Sequence, residues 1–427
     1  MKTNYFTLVC VLCTSFLIAQ NNDFNNQGGD LLWSNPLNWS LGEVPSTANA
    51  EAVRLPLLLE SNVDADFTIK KIQNIFGVLG NGTVGGSGSI TFNPGVLNAY
   101  AIENVSNNNV NLSFRGNLVV NNSAGFSRIR NLNGTSNALE FRDTSVLTLT
   151  TPLEIFAGSS NDIRFNGTLA GSANLRLAAN TAATFGSTSS NQDYTGEIVF
   201  LLNSVMTVNT ADDNVFYNGP KIQVNGSNSS IVLNGANVFA SNIVIGGSAA
   251  FTFTANKNQS GLRAITISNN GTLNLAIGSE VTNLTFEDNS TFPWNAGTVN
   301  ITGFQNGIIR FGTTNEGLTA EQLAQIVADN SEGALALDEN GFLVEASTLS
   351  INDFDSEKAN PIIKSTFVNN QIDFSTPQNS VQIIDMSGRV LFNSNAVNQT
   401  EVSIAFLQSG QYLAVFENKV IERFIKK

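Results

Sequence analysis

The stretch from Asn166 to Val208 constrains the chain more than any other. Ala173, Leu175 and Leu177 fall on one side of a short run, with Asn174 and Arg176 on the other. Ile198, Phe200 and Leu202 repeat the pattern, and Met206 and Val208 follow after a break at Asn203-Ser204. Period-two alternation closed by turn formers is the pattern of half-buried strands. Looser copies run from Phe67 to about Phe311. They include Ser89–Phe92, Asn117–Val120, Val146–Leu149, Ser230–Leu233 and Phe251–Thr254. Asn-Gly pairs begin at Asn81, Asn133, Asn166, Asn218, Asn225, Asn234, Asn270, Asn306 and Asn340. Both residues tolerate positive φ, so each pair reads as a tight turn. No compact-domain boundary interrupts this run. A solenoid is therefore expected rather than a set of hairpins, with coils of roughly 20–30 residues.

Composition narrows the chemistry. The chain has 42% apolar and 13% charged residues, a balance that folds rather than stays disordered. It has no histidine, which removes Ser-His-Asp and Cys-His catalysis and imidazole metal sites. Its two cysteines, Cys10 and Cys13, lie in the N-terminal apolar run, so disulfide and thiolate chemistry are not expected of the mature protein. Residues 20–345 hold 13 Lys/Arg against 26 Asp/Glu, whereas 346–427 hold seven against eight. An acidic body repels nucleic acid and polyanions and is compatible with neutral glycans, cations or other proteins.

Met1–Ala19 has the plan of a signal peptide: Lys2, an apolar run from Phe6 to Ile18, and Ala19 before Gln20. The run is too short to span a membrane, and no transmembrane segment is expected elsewhere. Next come Trp33, Asn38-Trp39-Ser40 and Val44-Pro45. These resemble the opening segment of secreted bacterial β-helix proteins, and two large rings suit a cover for an open first coil. A sugar-stacking platform is the functional alternative for Trp33 and Trp39.

Phe165–Leu177, followed by Asn191-Gln192-Asp193-Tyr194-Thr195-Gly196 and an outgoing strand, resembles the strand repeat of autotransporter passenger domains. That resemblance implies a right-handed parallel β-helix with Phe and Leu stacked inside. Within it, Tyr194 is expected to pack rather than bind. Near the end, Thr319 stands three residues before Gln322, a capping box, with Leu318 and Leu323 at the staple positions. Leu323, Ile326 and Val327 are expected to share one face of a short helix ending near Asp329-Asn330 and covering the last coil. Asp338-Glu339-Asn340 lacks the further oxygen ligands of a calcium loop.

Residues 346–427 read as a separate module. Asn360-Pro361, Asp385-Met386-Ser387-Gly388-Arg389, Leu407-Gln408-Ser409-Gly410-Gln411-Tyr412 and Lys426-Lys427 resemble the C-terminal sorting domain of the type IX secretion system, an Ig-like β-sandwich. Ala359 stands where that family usually has a first proline. The resemblance implies export to the cell surface or medium, with the secretion machinery as a partner.

The expected organisation is thus a signal peptide over 1–19, a β-helix over 20–345 and a sorting domain over 346–427. The expected function is a secreted, adhesin-like or structural surface protein that meets glycans or other surface proteins. No catalytic, metal or cofactor residue is assigned. The alternative is a polysaccharide-active enzyme on the same scaffold. Its candidate groups are Asp212-Asp213, Asp162 with Arg164, Arg128 and Arg130, Glu140 with Asp143, and Glu287-Asp288, since a glycosidase needs two carboxylates facing one cleft.

Overall fold

The computed structural model describes residues 20–55, 60–74, 82–105, 111–132, 138–158, 162–186, 191, 193–210, 216, 219–346, 362–417 and 420–427. The proposed signal peptide, Asp212-Asp213 and Asn360-Pro361 lie outside the described residues. The chain divides into two compact units, 1–346 and 347–427.

The first unit is a parallel β-helix. An 11-stranded sheet runs from Gln20–Asp23 to Ile265–Ile267, and a 12-stranded sheet from Glu60–Asn62 to Ile326–Ala328. Five- and three-stranded sheets complete the coils. A single coil passes through Val146–Leu149, Leu153–Ala157 and Asp162–Phe165, one strand in each sheet. The coil-to-coil bonds Asn256–Asn234 and Asn74–Asn104 join residues 22 and 30 apart, within the expected repeat. The run from Thr168 to Val208 covers almost two coils, because Leu175–Leu177 and Ile198–Phe200 are register partners in one sheet. Among the described residues, no helix is long and apolar enough to cross a membrane.

Alternation explains the interior. Leu175, Leu177, Ile198, Phe200, Met206 and Val208 are buried, and the residue type that recurs on successive coils stacks on itself. Phe114, Phe141, Phe165 and Phe185 form a column with ring centroids 5.5, 5.0 and 4.7 Å apart. Each such contact adds about 0.5–1.5 kcal/mol to the area buried. Polar residues also stack inside: Asn74 donates to Asn104 (3.1 Å) and Asn104 to Asn131 (2.9 Å), so buried amides satisfy one another from coil to coil. Leu202 departs from the pattern. It lies beyond the strand ending at Phe200 and is 47% exposed.

Asn-Gly pairs do two different jobs. Asn270, Gly307 and Gly341 have positive φ, as a tight turn needs. At Asn166, Asn225 and Asn234 neither residue of the pair does. There the glycine permits close approach: a Cβ on Gly167, Gly226 or Gly235 would collide with backbone of residues 145, 202 or 210 on the preceding coil.

Both ends of the β-helix are closed. Trp33 packs edge-on against Trp39 (5.1 Å) and Phe67 (5.4 Å), and Phe24 against Trp39 (5.1 Å). Trp33 and Trp39 are buried, so they cap the first coils and offer no platform to a sugar. At the other end the capping box forms: Thr319 Oγ1 accepts from Gln322 N (3.1 Å), and Gln322 Oε1 accepts from Thr319 N (2.7 Å). The helix, however, spans only Ala320–Ala324. Ile326–Ala328 is instead the last strand of the 12-stranded sheet, paired with Val299–Ile301, and Val327 faces solvent. Two β-branched residues beside an open ladder gain inter-strand bonds that a further helical turn cannot supply. The helix shares the cover, with Leu323 packed against the core, and an antiparallel hairpin, Leu335–Leu337 with Leu343–Glu345, inserts Leu337 and Leu343 beside it.

The second unit has a five-stranded sheet and a two-stranded one around a core that includes Ile372, Phe374, Ile383, Ala414 and Phe424. This arrangement is consistent with a small β-sandwich.

Candidate functional site

The sequence candidates separate by what their side chains already touch. Tyr194 is buried, and its hydroxyl accepts from Leu175 N (2.8 Å) while lying 3.0 Å from Ala173 O and 2.9 Å from Glu197 O. Burial pushes its phenol well above the ordinary value. Asn191 Oδ1 accepts from Leu169 N (2.6 Å), and a Cβ on Gly196 would collide with Ala173 O. The Asn-Tyr-Gly turn is therefore a clasp between coils.

A second copy was not apparent from the sequence. Asn289 Oδ1 accepts from Ile265 N (2.6 Å), Trp294 Nε1 donates to Ile265 O (3.0 Å), and a Cβ on Gly297 would meet Ile267. The signal available was an asparagine followed by an aromatic and then a glycine, with tryptophan replacing tyrosine and the spacing stretched.

Most charged candidates are consumed by neighbours. Arg164 pairs with Asp162 (2.9 Å), Arg142 with Glu140 (3.1 Å), and Arg128 with Glu154 (3.1 Å). Arg130 pairs with buried Glu103 (2.5 Å), which Lys71 also reaches (3.1 Å), and lies over the Tyr100 ring. Asp143 is exposed and its carboxylate bonds the Thr144 amide. Asp338 accepts from the Asn340 and Phe342 amides and shapes the terminal hairpin. Among the described residues no group of three His, Cys, Asp or Glu is placed to hold a metal ion.

Glu287 and Asp288 differ. They border a concave groove of about 650 Å³ with Arg263, Thr285, Arg310 and Thr314. The groove lies on the three-stranded sheet formed by Gln259–Leu262, Leu284–Phe286 and Ile309–Phe311. Leu262, Phe286 and Phe311 are inward and buried, with Phe286 and Phe311 stacked at 5.0 Å. Alternation turns Thr285 and Arg310 outward as register partners, about 4.8 Å apart along the ladder. Arg263 and Glu287 follow directly after Leu262 and Phe286 and are exposed. Asp288 is tied back to Ser290 N (2.9 Å) and Ser290 Oγ (2.7 Å), whereas the Glu287 carboxylate has no partner among the described residues. Arg310 Nε donates to Asn340 O (3.0 Å), and its guanidinium lies 5.4 Å from the Phe342 ring centroid. Arg263 and Arg310 were not singled out in the sequence, because nothing local says that outward residues of different coils converge.

In the second unit the motif residues are structural. Asp385 accepts from Ser387 N (3.0 Å) and Arg389 N (3.0 Å), and Gly388 has φ +84°, which closes the hairpin between Val381–Asp385 and Val390–Ser394. Hydrogen bonds, first from the Ser387 side chain, hold the Asp385 carboxyl below its ordinary pKa. Tyr412 donates to Gln408 O (2.9 Å), Leu407 is buried, and Gly410 begins the strand Gly410–Phe416. Lys426 is buried with its ammonium on Ile404 O (2.8 Å), and Lys427 lies over the exposed Phe367 ring.

Compared with known proteins, the chain matches no family model, no curated protein and no solved structure.

Proposed function

We propose that the chain is a secreted or surface-exposed β-helix protein whose body acts as an adhesin-like or structural element meeting glycans or other surface proteins. The observation that carries this reading is the outer face of the 12-stranded sheet. Thr184 and Thr207 are register partners there, as are Thr252, Asn274 and Asn300 farther along. Such rows present hydroxyls and amides at a fixed spacing of about 4.8 Å, suited to polar contact along an extended partner. The capped ends fit a body that stays discrete rather than adding strands from neighbours.

Export by a type IX route is part of the same proposal. It is supported by the signal-like segment and by the spaced motifs of 346–427, in which Asp385 and Gly388 shape a hairpin turn and Tyr412 lies in a strand paired to it. The test is deletion of residues 346–427. The truncated protein is expected to remain in the periplasm, and unchanged appearance at the surface or in the medium sinks the sorting claim. Retention on a glycan array without turnover tests the binding role.

A second reading, a polysaccharide-active enzyme, draws on the groove that holds Glu287 and Asp288 beside two arginines. New reducing ends or unsaturated uronates from a polysaccharide panel, lost on Glu287→Gln, would favour it.

A further inference from the structure

We propose that the groove over Thr285 is a binding site for an acidic saccharide, whose carboxylates meet Arg263 toward one end and Arg310 toward the other. The inference rests on the surface-binding reading above and names its ligand class. Eleven of the thirteen Lys and Arg side chains between residues 20 and 345 lie within 4.0 Å of a carboxylate. Among the described residues the two that do not are Arg263 and Arg310, and both line this one groove. In a body with twice as many carboxylates as cations, pairing is the easy outcome. Arg263 Cζ lies 3.6 Å from where a Cβ on Gly219 would stand, whereas Arg310 lies over Phe342, so the two guanidiniums reach toward opposite ends of the groove and each is open to a separate carboxylate.

Arg310 is already oriented. Its bond to Asn340 O and its position over Phe342 fix the guanidinium plane while leaving the terminal amino groups for a ligand. The unpartnered Glu287 and the hydroxyls of Thr285 and Thr314 accept and donate to sugar hydroxyls. A carboxylate and hydroxyls on one ligand describe a uronic-acid-type saccharide. A dense polyanion is disfavoured by Glu287, Asp288 and the acidic body.

The experiment is calorimetric titration of the full chain with trigalacturonate, its methyl ester and cellotriose, using wild type, Arg263→Gln and Arg310→Gln. Saturable binding of trigalacturonate is expected. Loss of about tenfold or more is expected for each variant and for both neutral sugars, the effect of removing one charge-assisted contact. Arg263→Lys, which keeps the charge without the planar fork, is expected to fold and to bind with intermediate affinity.

Equal binding of the methyl ester overturns the carboxylate. Trigalacturonate binding that neither substitution weakens overturns the site and leaves the surface-binding reading standing. A wild-type protein that ignores trigalacturonate but is retained by other glycans overturns the ligand class alone. Silence toward every glycan overturns both.

Discussion

Arg128, Glu154 and Arg176 stand in register on three successive coils, with Glu154 3.1 Å from one guanidinium and 3.8 Å from the other. Arg263 and Glu287 also follow register partners on successive coils, but the third position of their row is Gly312, and Arg310 sits two residues earlier beside Thr285. The first set is a closed charge ladder that ties coils together. The second leaves two guanidiniums and a carboxylate facing an open groove. The same residue types thus serve cohesion or recognition, depending on whether the row is completed in register.

Removing a buried carboxylate from a second such charge cluster between coils is the strongest way to break this contrast. Glu103 is almost fully buried between Lys71 and Arg130, and Glu103→Ala strands both cations. A loss of about 2–3 kcal/mol in urea unfolding is expected, less than for a fully buried pair because the cations keep some water. Tyr194→Phe comes next. It removes the hydroxyl that joins Leu175 N, Ala173 O and Glu197 O, while the Leu175 amide keeps its bond to Glu197 O (2.9 Å), and it is expected to cost about 0.5–1.5 kcal/mol in the same assay.

The smallest effect is a pH dependence. Asp329 joins coils by accepting from Gly303 N and Phe304 N, both at 2.9 Å, and these bonds hold its carboxyl below the ordinary 3.8. A depressed folded value contributes stability above pH 3.8 that is lost as pH falls through the lower folded value. The melting temperature of wild type should therefore exceed that of Asp329→Asn near neutrality, and the gap should close on acidification below that point.

Much of the architecture could be read from period-two alternation. Ser89–Phe92, Asn117–Val120 and Val146–Leu149 are strands with the expected bounds, and Trp33 and Trp39 close the first coils. The end of the helix was misread because Leu323, Ile326 and Val327 fit a helical face. Only the position of Val299–Ile301 reveals that a ladder is open to them. The role of Gly167, Gly226 and Gly235 was misassigned for a related reason: the atoms that exclude a Cβ there belong to another coil. The groove was half legible. Glu287-Asp288 stood out as adjacent acids, but their relation to Arg263 and Arg310 depends on coil length and register, which local pattern does not encode.

The most direct test of the distinction between cohesion and recognition is a crossed pair of substitutions, Arg128→Gln and Arg263→Gln, each followed by urea unfolding and trigalacturonate titration. Arg128→Gln is expected to lower the unfolding midpoint and leave binding intact, because Glu154 loses its nearer partner. Arg263→Gln is expected to change stability by no more than about 0.5 kcal/mol and to weaken binding. A lowered midpoint with unchanged binding for Arg263→Gln would contradict the account.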